Sequence, residues 1–258
     1  MSINHTDMVV RYTGGVFEVA RSYESVHKNN GCMLGDRWFT PFDECICTEG
    51  NIYTVMLDGL HLEKFEKTEG GFVSLREQDK SVQLFETKDG YCYKENKNYT
   101  ERYFDDKGRL TAHYDRNQDG FQVVYCGNQM EEVIFTGGAR LSFVWSDNKV
   151  QSITDIMGRT VAYRYDNNNL KEVVCVDGGV IRYDYTEEGR LRQICDQNGK
   201  NYVTNEFDRK GRVVRQVLSN GEEFVTFYDD AKKENTFLTV STGERIIYTY
   251  DHRKLPLK

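Results

Sequence analysis

One pair of cysteines in this 258-residue chain stands close enough for joint chemistry: Cys45 and Cys47, flanking Ile46. Residues two apart on a strand share a face, so Cys-x-Cys could begin a soft-metal site. A zinc centre wants four ligands, and no second Cys or His pair occurs at ligand spacing. Metal is therefore not expected. The histidines, His5, His27, His61, His113 and His252, are isolated from one another and from any Ser or Cys nucleophile motif. His113, between Ala112 and Tyr114, reads as a strand-face residue. Carboxylates number 41, so some two will lie close by chance. Glycoside hydrolysis needs two placed across a cleft, one with a raised pKa, and a bare count does not supply that. Tyr91, Tyr93 and Tyr99 are the aromatics best placed to stack on a sugar ring. Their competing role is to pack the N-terminal region against the first repeat. The expectation is no catalytic residue, no cofactor and no enzyme.

What must position these groups is a repeat. Phe104, Tyr125, Trp145, Tyr165, Tyr185, Phe207, Tyr228 and Tyr250 succeed one another at 20 to 22 residues, each opening a turn that ends in an aliphatic residue. A fixed short period marks stacked like units. The trios Leu141/Phe143/Trp145, Val161/Tyr163/Tyr165, Ile181/Tyr183/Tyr185 and Ile246/Tyr248/Tyr250 alternate with period two, which puts each on one strand face. Tyr163, Tyr183 and Tyr248 should then share one kind of environment.

The turns have their own chemistry. Asp105, Asp166, Asp208, Asp229 and Asp251 come directly after their aromatic, where a carboxylate can accept from the backbone two residues on. Gly108, Gly189 and Gly211 are expected to take positive φ, with Asn128, Asn148 and Asn169 as substitutes. Two turns per repeat give two strands per repeat, about fifteen from residue 98 onward. The fold class is all-β: a continuous antiparallel hairpin meander of repeats over 99–258, curling into a spiral or partial shell. Residues 1–98 form a less periodic β-rich segment, with Asp58-Gly59, Gly70-Gly71 and Asp89-Gly90 as hairpin signals. No linker rich in Pro, Gly or Ser separates the two parts.

Composition agrees. Aromatics reach 13%, while Pro41 and Pro256 are the sole prolines, as long paired strands require. Net charge is -7 with both signs interspersed, which argues against a nucleic-acid groove. No apolar run approaches the roughly 20 residues of a membrane helix, and the first thirty residues show no secretory signal. Seven cysteines, an odd count, favour free thiols. The reading is a chain that stays in the producing cell or leaves by a signal-independent route.

The pattern Tyr-Asp-x-x-Gly-Arg-Leu, seen in Phe104-Asp105-Asp106-Lys107-Gly108-Arg109-Leu110 and Tyr185-Thr186-Glu187-Glu188-Gly189-Arg190-Leu191, resembles the YD repeats of the Rhs family. Tc toxin C components, polymorphic toxins and teneurins carry similar repeats. Arg21-Ser22-Tyr23-Glu24-Ser25 and Leu34-Gly35-Asp36-Arg37-Trp38 resemble the stretch preceding them. The resemblance implies a β ribbon wound into a hollow shell, which in bacterial members encloses a toxic C-terminal domain. This chain has no Asp-Pro pair, so neither self-cleavage nor an intrinsic toxin carries over.

The expected function is a non-enzymatic shell segment, truncated or orphan, tied to toxin encapsulation and delivery. The alternative is a carbohydrate- or cell-surface-binding module using exposed aromatics. The strand Arg245 to Tyr250 should present an open edge, recruiting a protein partner, a second copy or the Lys254–Lys258 tail. A separately encoded toxin is a candidate partner.

Overall fold

The computed structural model describes residues 2–25, 32–57, 61–76 and 81–251, and every regular element among them is a strand. His27, His252, the Asp58-Gly59 hairpin signal and the Lys254–Lys258 tail lie outside the described residues. Strands β1 (Ser2–Tyr12) and β2 (Gly15–Glu24) form a hairpin, extended by β3 (Trp38–Phe39). A second small antiparallel sheet comprises β4 (Cys45–Glu49), β5 (Ile52–Met56), β6 (Leu62–Thr68) and β7 (Gly71–Ser74).

All remaining strands belong to one sheet. It starts with β8 (Val82–Thr87), β9 (Gly90–Glu95), β10 (Thr100–Asp105), β11 (Leu110–Tyr114), β12 (Gly120–Cys126) and β13 (Gln129–Phe135). It continues through β14 (Arg140–Ser146), β15 (Lys149–Asp155), β16 (Thr160–Asp166), β17 (Asn169–Val174), β18 (Val180–Tyr185) and β19 (Leu191–Cys195). It ends with β20 (Asn201–Phe207), β21 (Val213–Leu218), β22 (Glu223–Asp229), β23 (Glu234–Thr239) and β24 (Arg245–Thr249). Each strand pairs antiparallel with the next, from Val82↔Glu95 at one end to Leu238↔Arg245 at the other. No ladder joins β24 back to β8 among the described residues, so this meander is an open sheet of 17 strands. It takes in residues 82–95 as well as the repeats.

The two faces of the sheet differ because the side-chain period is two. On β14 the pattern is Leu141 and Phe143 buried, Ser142 and Val144 exposed, and β16 repeats it with Val161 and Tyr163. The inner face is covered by the N-terminal segment. Met8, Val10, Val19, Tyr23, Leu34 and Trp38 share one apolar cluster with Val133, Leu141, Ile153, Tyr163, Tyr183 and Leu191. A sheet with one apolar face must bury it against another layer, and here residues 3–25 and 32–57 provide that layer.

Backbone bonds fix its position. Val150 N–H donates to the Met33 carbonyl at 3.0 Å, Asp36 N–H to Asn168 at 3.0 Å and Ile46 N–H to Gly108 at 2.8 Å. Arg159 Nη2 reaches the Val9 carbonyl at 2.9 Å.

The cover is incomplete, which corrects one expectation. Tyr163 and Tyr183 are both 2% exposed, whereas Tyr248 is 48% exposed. Tyr248 keeps the strand parity, but the N-terminal layer does not extend that far.

Candidate functional site: the rungs and their cover

Four of the anchor aromatics do two things, and each of the four sits opposite the apolar residue closing its own turn: Tyr125↔Met130, Trp145↔Val150, Tyr165↔Leu170 and Tyr185↔Leu191. Their polar atoms then reach one hairpin back. Tyr125 Oη donates to the Leu110 carbonyl at 2.8 Å, and Trp145 Nε1 to Met130 at 2.6 Å. Tyr165 Oη donates to Val150 at 2.6 Å, Tyr185 Oη to Leu170 at 2.6 Å and Tyr228 Oη to Val213 at 2.9 Å. Five donors thus span the same fifteen-residue step in sequence. Phe207 has no donor to offer. In its repeat Asn205 Nδ2 donates to the Leu191 carbonyl at 3.1 Å instead.

The register slips by one residue beside six anchors, at Tyr103/Phe104, Val124/Tyr125, Val144/Trp145, Arg164/Tyr165, Asp184/Tyr185 and Glu206/Phe207. An extra residue on the partner strand re-aims the local side chains and raises the twist. The β22–β23 ladder, which holds Tyr228, has no such slip. Spacing alone carries no signal for these bulges.

The turns use their Asp and Arg side chains internally. Asp105 Oδ1 accepts from the N–H groups of Lys107 and Arg109, while Oδ2 accepts from Arg109 Nε at 2.7 Å. Asp208 repeats this with Lys210 and Arg212, and so does Asp155 with Met157 and Arg159. Asp155 does not directly succeed an anchor, so a search keyed to the aromatic passes over it. Asp166 is exposed and holds only its neighbour Asn167, and Asp251 is half-buried after β24. Gly108, Gly189 and Gly211 have φ of 78°, 72° and 78°. The asparagine substitutes need correction: Asn148 is left-handed, but in the flanking hairpins Gly127 and Asn167 take that role rather than Asn128 and Asn169. There the turn is two residues long and the left-handed positions precede the strand.

In two turns the closing arginine then lies on the next anchor ring. Arg109 Cζ is 4.3 Å from the Tyr125 centroid and Arg212 Cζ is 4.1 Å from that of Tyr228. Such cation–π contacts contribute roughly 0.5–1 kcal/mol when exposed.

Under the N-terminal layer lies a buried polar group. Arg21 and Asp7 form an ion pair, both side chains almost fully buried. Tyr163 Oη donates to Asp7 Oδ2 at 2.9 Å, and Arg21 Nη2 donates to Tyr183 Oη at 2.7 Å. Trp38 stacks edge-on against Tyr23 and Tyr183 with centroids 5.4 and 4.9 Å away, and its Nε1 donates to Tyr185 Oη at 3.0 Å. Tyr23 Oη accepts from Leu191 N–H at 2.9 Å. Burial pushes the Tyr163 and Tyr185 hydroxyls above the ordinary phenol range, so both remain donors. The group ties β1 and β2 to β16, β18 and β19. A pair desolvated to this degree fixes register more than it adds stability.

Other residues singled out by sequence are dispersed. His113 packs on Phe121 at 5.7 Å, and burial with Arg102 nearby lowers its pKa to about 4. His61 contacts Glu63 at 2.8 Å. Tyr93 is fully buried and Tyr91 packs edge-on to Tyr53 at 5.5 Å, leaving Tyr99, 58% exposed, as the one open ring of the three. All seven cysteines are free thiols. Cys45 and Cys47 share one face of β4, opposite Met56 and Thr54 on β5.

No family model matches the chain, and no curated protein matches it. Among solved structures it is similar to a crystal structure of TcdB2-TccC3-Cdc42, at 10% identity and a TM-score of 0.41, over 80% of this chain and 14% of that one. It is also similar to a Tc holotoxin pore structure from Photorhabdus luminescens, at 12% identity and a TM-score of 0.34, over 98% of this chain and 14% of that one. The chain spans about one seventh of the length of those chains.

Proposed function

We propose that the chain is a structural, non-enzymatic YD-repeat element of the Rhs type: a shell segment associated with enclosing and delivering a toxic polypeptide. The observation that carries this reading is the aromatic ladder. Hydroxyl and indole groups that could do chemistry elsewhere are engaged by the neighbouring backbone, and turn carboxylates and guanidinium groups by one another, rung after rung. Beyond the N-terminal layer the same face continues uncovered through Phe224, Phe237, Ile246 and Tyr248, an apolar strip suited to an unfolded or partly folded polypeptide.

A photo-crosslinking amino acid at position 237 or 246 in the producing cell tests this, with position 144 on the outer face as control. The expected capture is a polypeptide encoded beside this chain's own gene, at the inner positions only. Equal capture at 144 counts against the reading.

A second reading, recognition of a glycan, is favoured by a cavity of about 930 Å³ between β1 and the turns after β17 and β19. Asn4, His5, Asp177, Asp196, Tyr183 and Tyr202 contribute polar and aromatic walls to it. Selective binding on a glycan array, lost in Tyr202→Ala, would favour this reading over the shell.

A further inference from the structure

A smaller cavity, about 380 Å³, lies where β4 and β5 meet the first repeats, and its lining is unusually rich in sulfur. Cys45 and Cys47 line it from one face of β4, and Met56 stands directly across the ladder from Cys45. Residues directly opposite on an antiparallel pair have Cβ atoms about 4.5–5.5 Å apart. Cys32 and Met33 approach from the N-terminal layer, and Met130 from β13. Three cysteines and three methionines thus line one cavity.

The frame holding them is fixed. Cys45 makes a backbone bridge to Arg109, and Ile46 N–H donates to the Gly108 carbonyl at 2.8 Å. Met33 is held on both sides, its N–H donating to Asp43 Oδ1 at 2.8 Å and its carbonyl accepting from Val150 N–H at 3.0 Å.

We propose that this cavity is a binding site for a soft monovalent cation of the Cu(I) class, held by the Cys45 and Cys47 sulfurs with Met56 as a thioether neighbour. Thiolate and thioether donors select such ions, whereas zinc wants four ligands without thioethers among them. A two-thiolate ion needs only the pair.

Binding replaces the thiol protons: each sulfur that ligates releases its proton to solvent and the ion keeps its oxidation state. Cys47 is exposed on the rim, which gives the ion its way in.

The test is an anaerobic titration of the reduced full chain with Cu(I), in competition with a chromogenic Cu(I) chelator. One equivalent should be retained against the chelator, and Cys47→Ser should weaken it by more than the roughly 10–100-fold that outer-shell partners of a metal are worth. Met56→Leu should weaken it less, and Cys126→Ser, an exposed thiol elsewhere, should leave it unchanged. Alkylation mapped by mass spectrometry should show Cys45 and Cys47 protected by the ion and Cys126 not. If Cys45→Ser fails to fold, the exposed Cys47→Ser still decides. Retention unaffected by Cys47→Ser, or uptake tracking the number of exposed thiols, overturns the proposal.

Discussion

The hairpins from β12 to β19 and those from β21 to β24 use like parts but differ in what covers them. The Asp105–Arg109 turn and the Asp208–Arg212 turn have the same bonds within 0.1 Å, and Arg109 and Arg212 lie on their tyrosines at similar distances. Yet among the described residues Val203 is the last buried apolar residue, and beyond it only Asn205 and Thr226 are buried. Local sequence therefore sets strand, turn and rung. Burial is decided by residues 3–25 and 32–57, far away in sequence, and the chain's core is where those two sources overlap.

The largest test of that difference is truncation of a covering residue against truncation of an uncovered one. Trp38→Ala should destabilise by about 3–5 kcal/mol, because a fully buried ring contacting Tyr23 and Tyr183 leaves a cavity. Tyr248→Ala, on the sheet face that Tyr183 also occupies but half exposed, should stay within about 0.5–1 kcal/mol. Chemical denaturation midpoints at constant slope measure both.

Next comes the buried ion pair. Arg21→Met leaves Asp7 charged and unpaired, at a cost of about 3–5 kcal/mol, and a second change, Asp7→Leu, should recover most of it. Failure of the double variant to recover would mean that the Tyr163 and Tyr183 bonds, rather than the pair itself, hold the layer in place.

A smaller effect depends on pH. The His113 pKa is lowered to about 4 in the folded chain, against 6.5 unfolded, by burial and Arg102, with Asp115 opposing. As pH falls from about 6.5 towards 4, the unfolded chain takes up a proton that the folded chain resists, so stability drops. His113→Gln should remove this share of the loss, on the order of 1–3 kcal/mol relative to the parent between pH 7 and 4. Urea unfolding at the two pH values reads the difference.

The smallest contrast is between rungs. Tyr165→Phe strands a carbonyl under the layer and should cost about 1–2 kcal/mol, and Tyr228→Phe, where water can replace the hydroxyl, about 0.5 kcal/mol.

How much of this is legible in the amino-acid order varies with range. Alternation at Leu141, Phe143 and Trp145, with glycine at positions such as 108, 189 and 211, is enough to specify an all-β antiparallel meander. The carbonyl that each anchor serves is not legible. It lies across a neighbouring hairpin, and beside four of the five donor anchors stands a bulge whose extra residue, such as Glu131 between Met130 and Glu132, looks like any other strand residue. The Arg21–Asp7–Tyr163–Tyr183 group joins positions more than 150 residues apart, and no local pattern marks such a contact. The unlike setting of Tyr248 arises the same way, since its own strand reads like that of Tyr183. Cys45 and Cys47 are visible as a pair, but Met33 and Met130 reach the same cavity only through tertiary packing.

Amide hydrogen exchange resolved along the chain tests the central claim, that the N-terminal layer rather than the repeat defines the stable core. Amides of β14 to β19 should exchange together with those of β1 and β2, in one slow class, while β22 to β24 exchange faster in a separate class. Equal protection across β14 to β24, or slow repeat strands beside a freely exchanging β1–β2 hairpin, would contradict it.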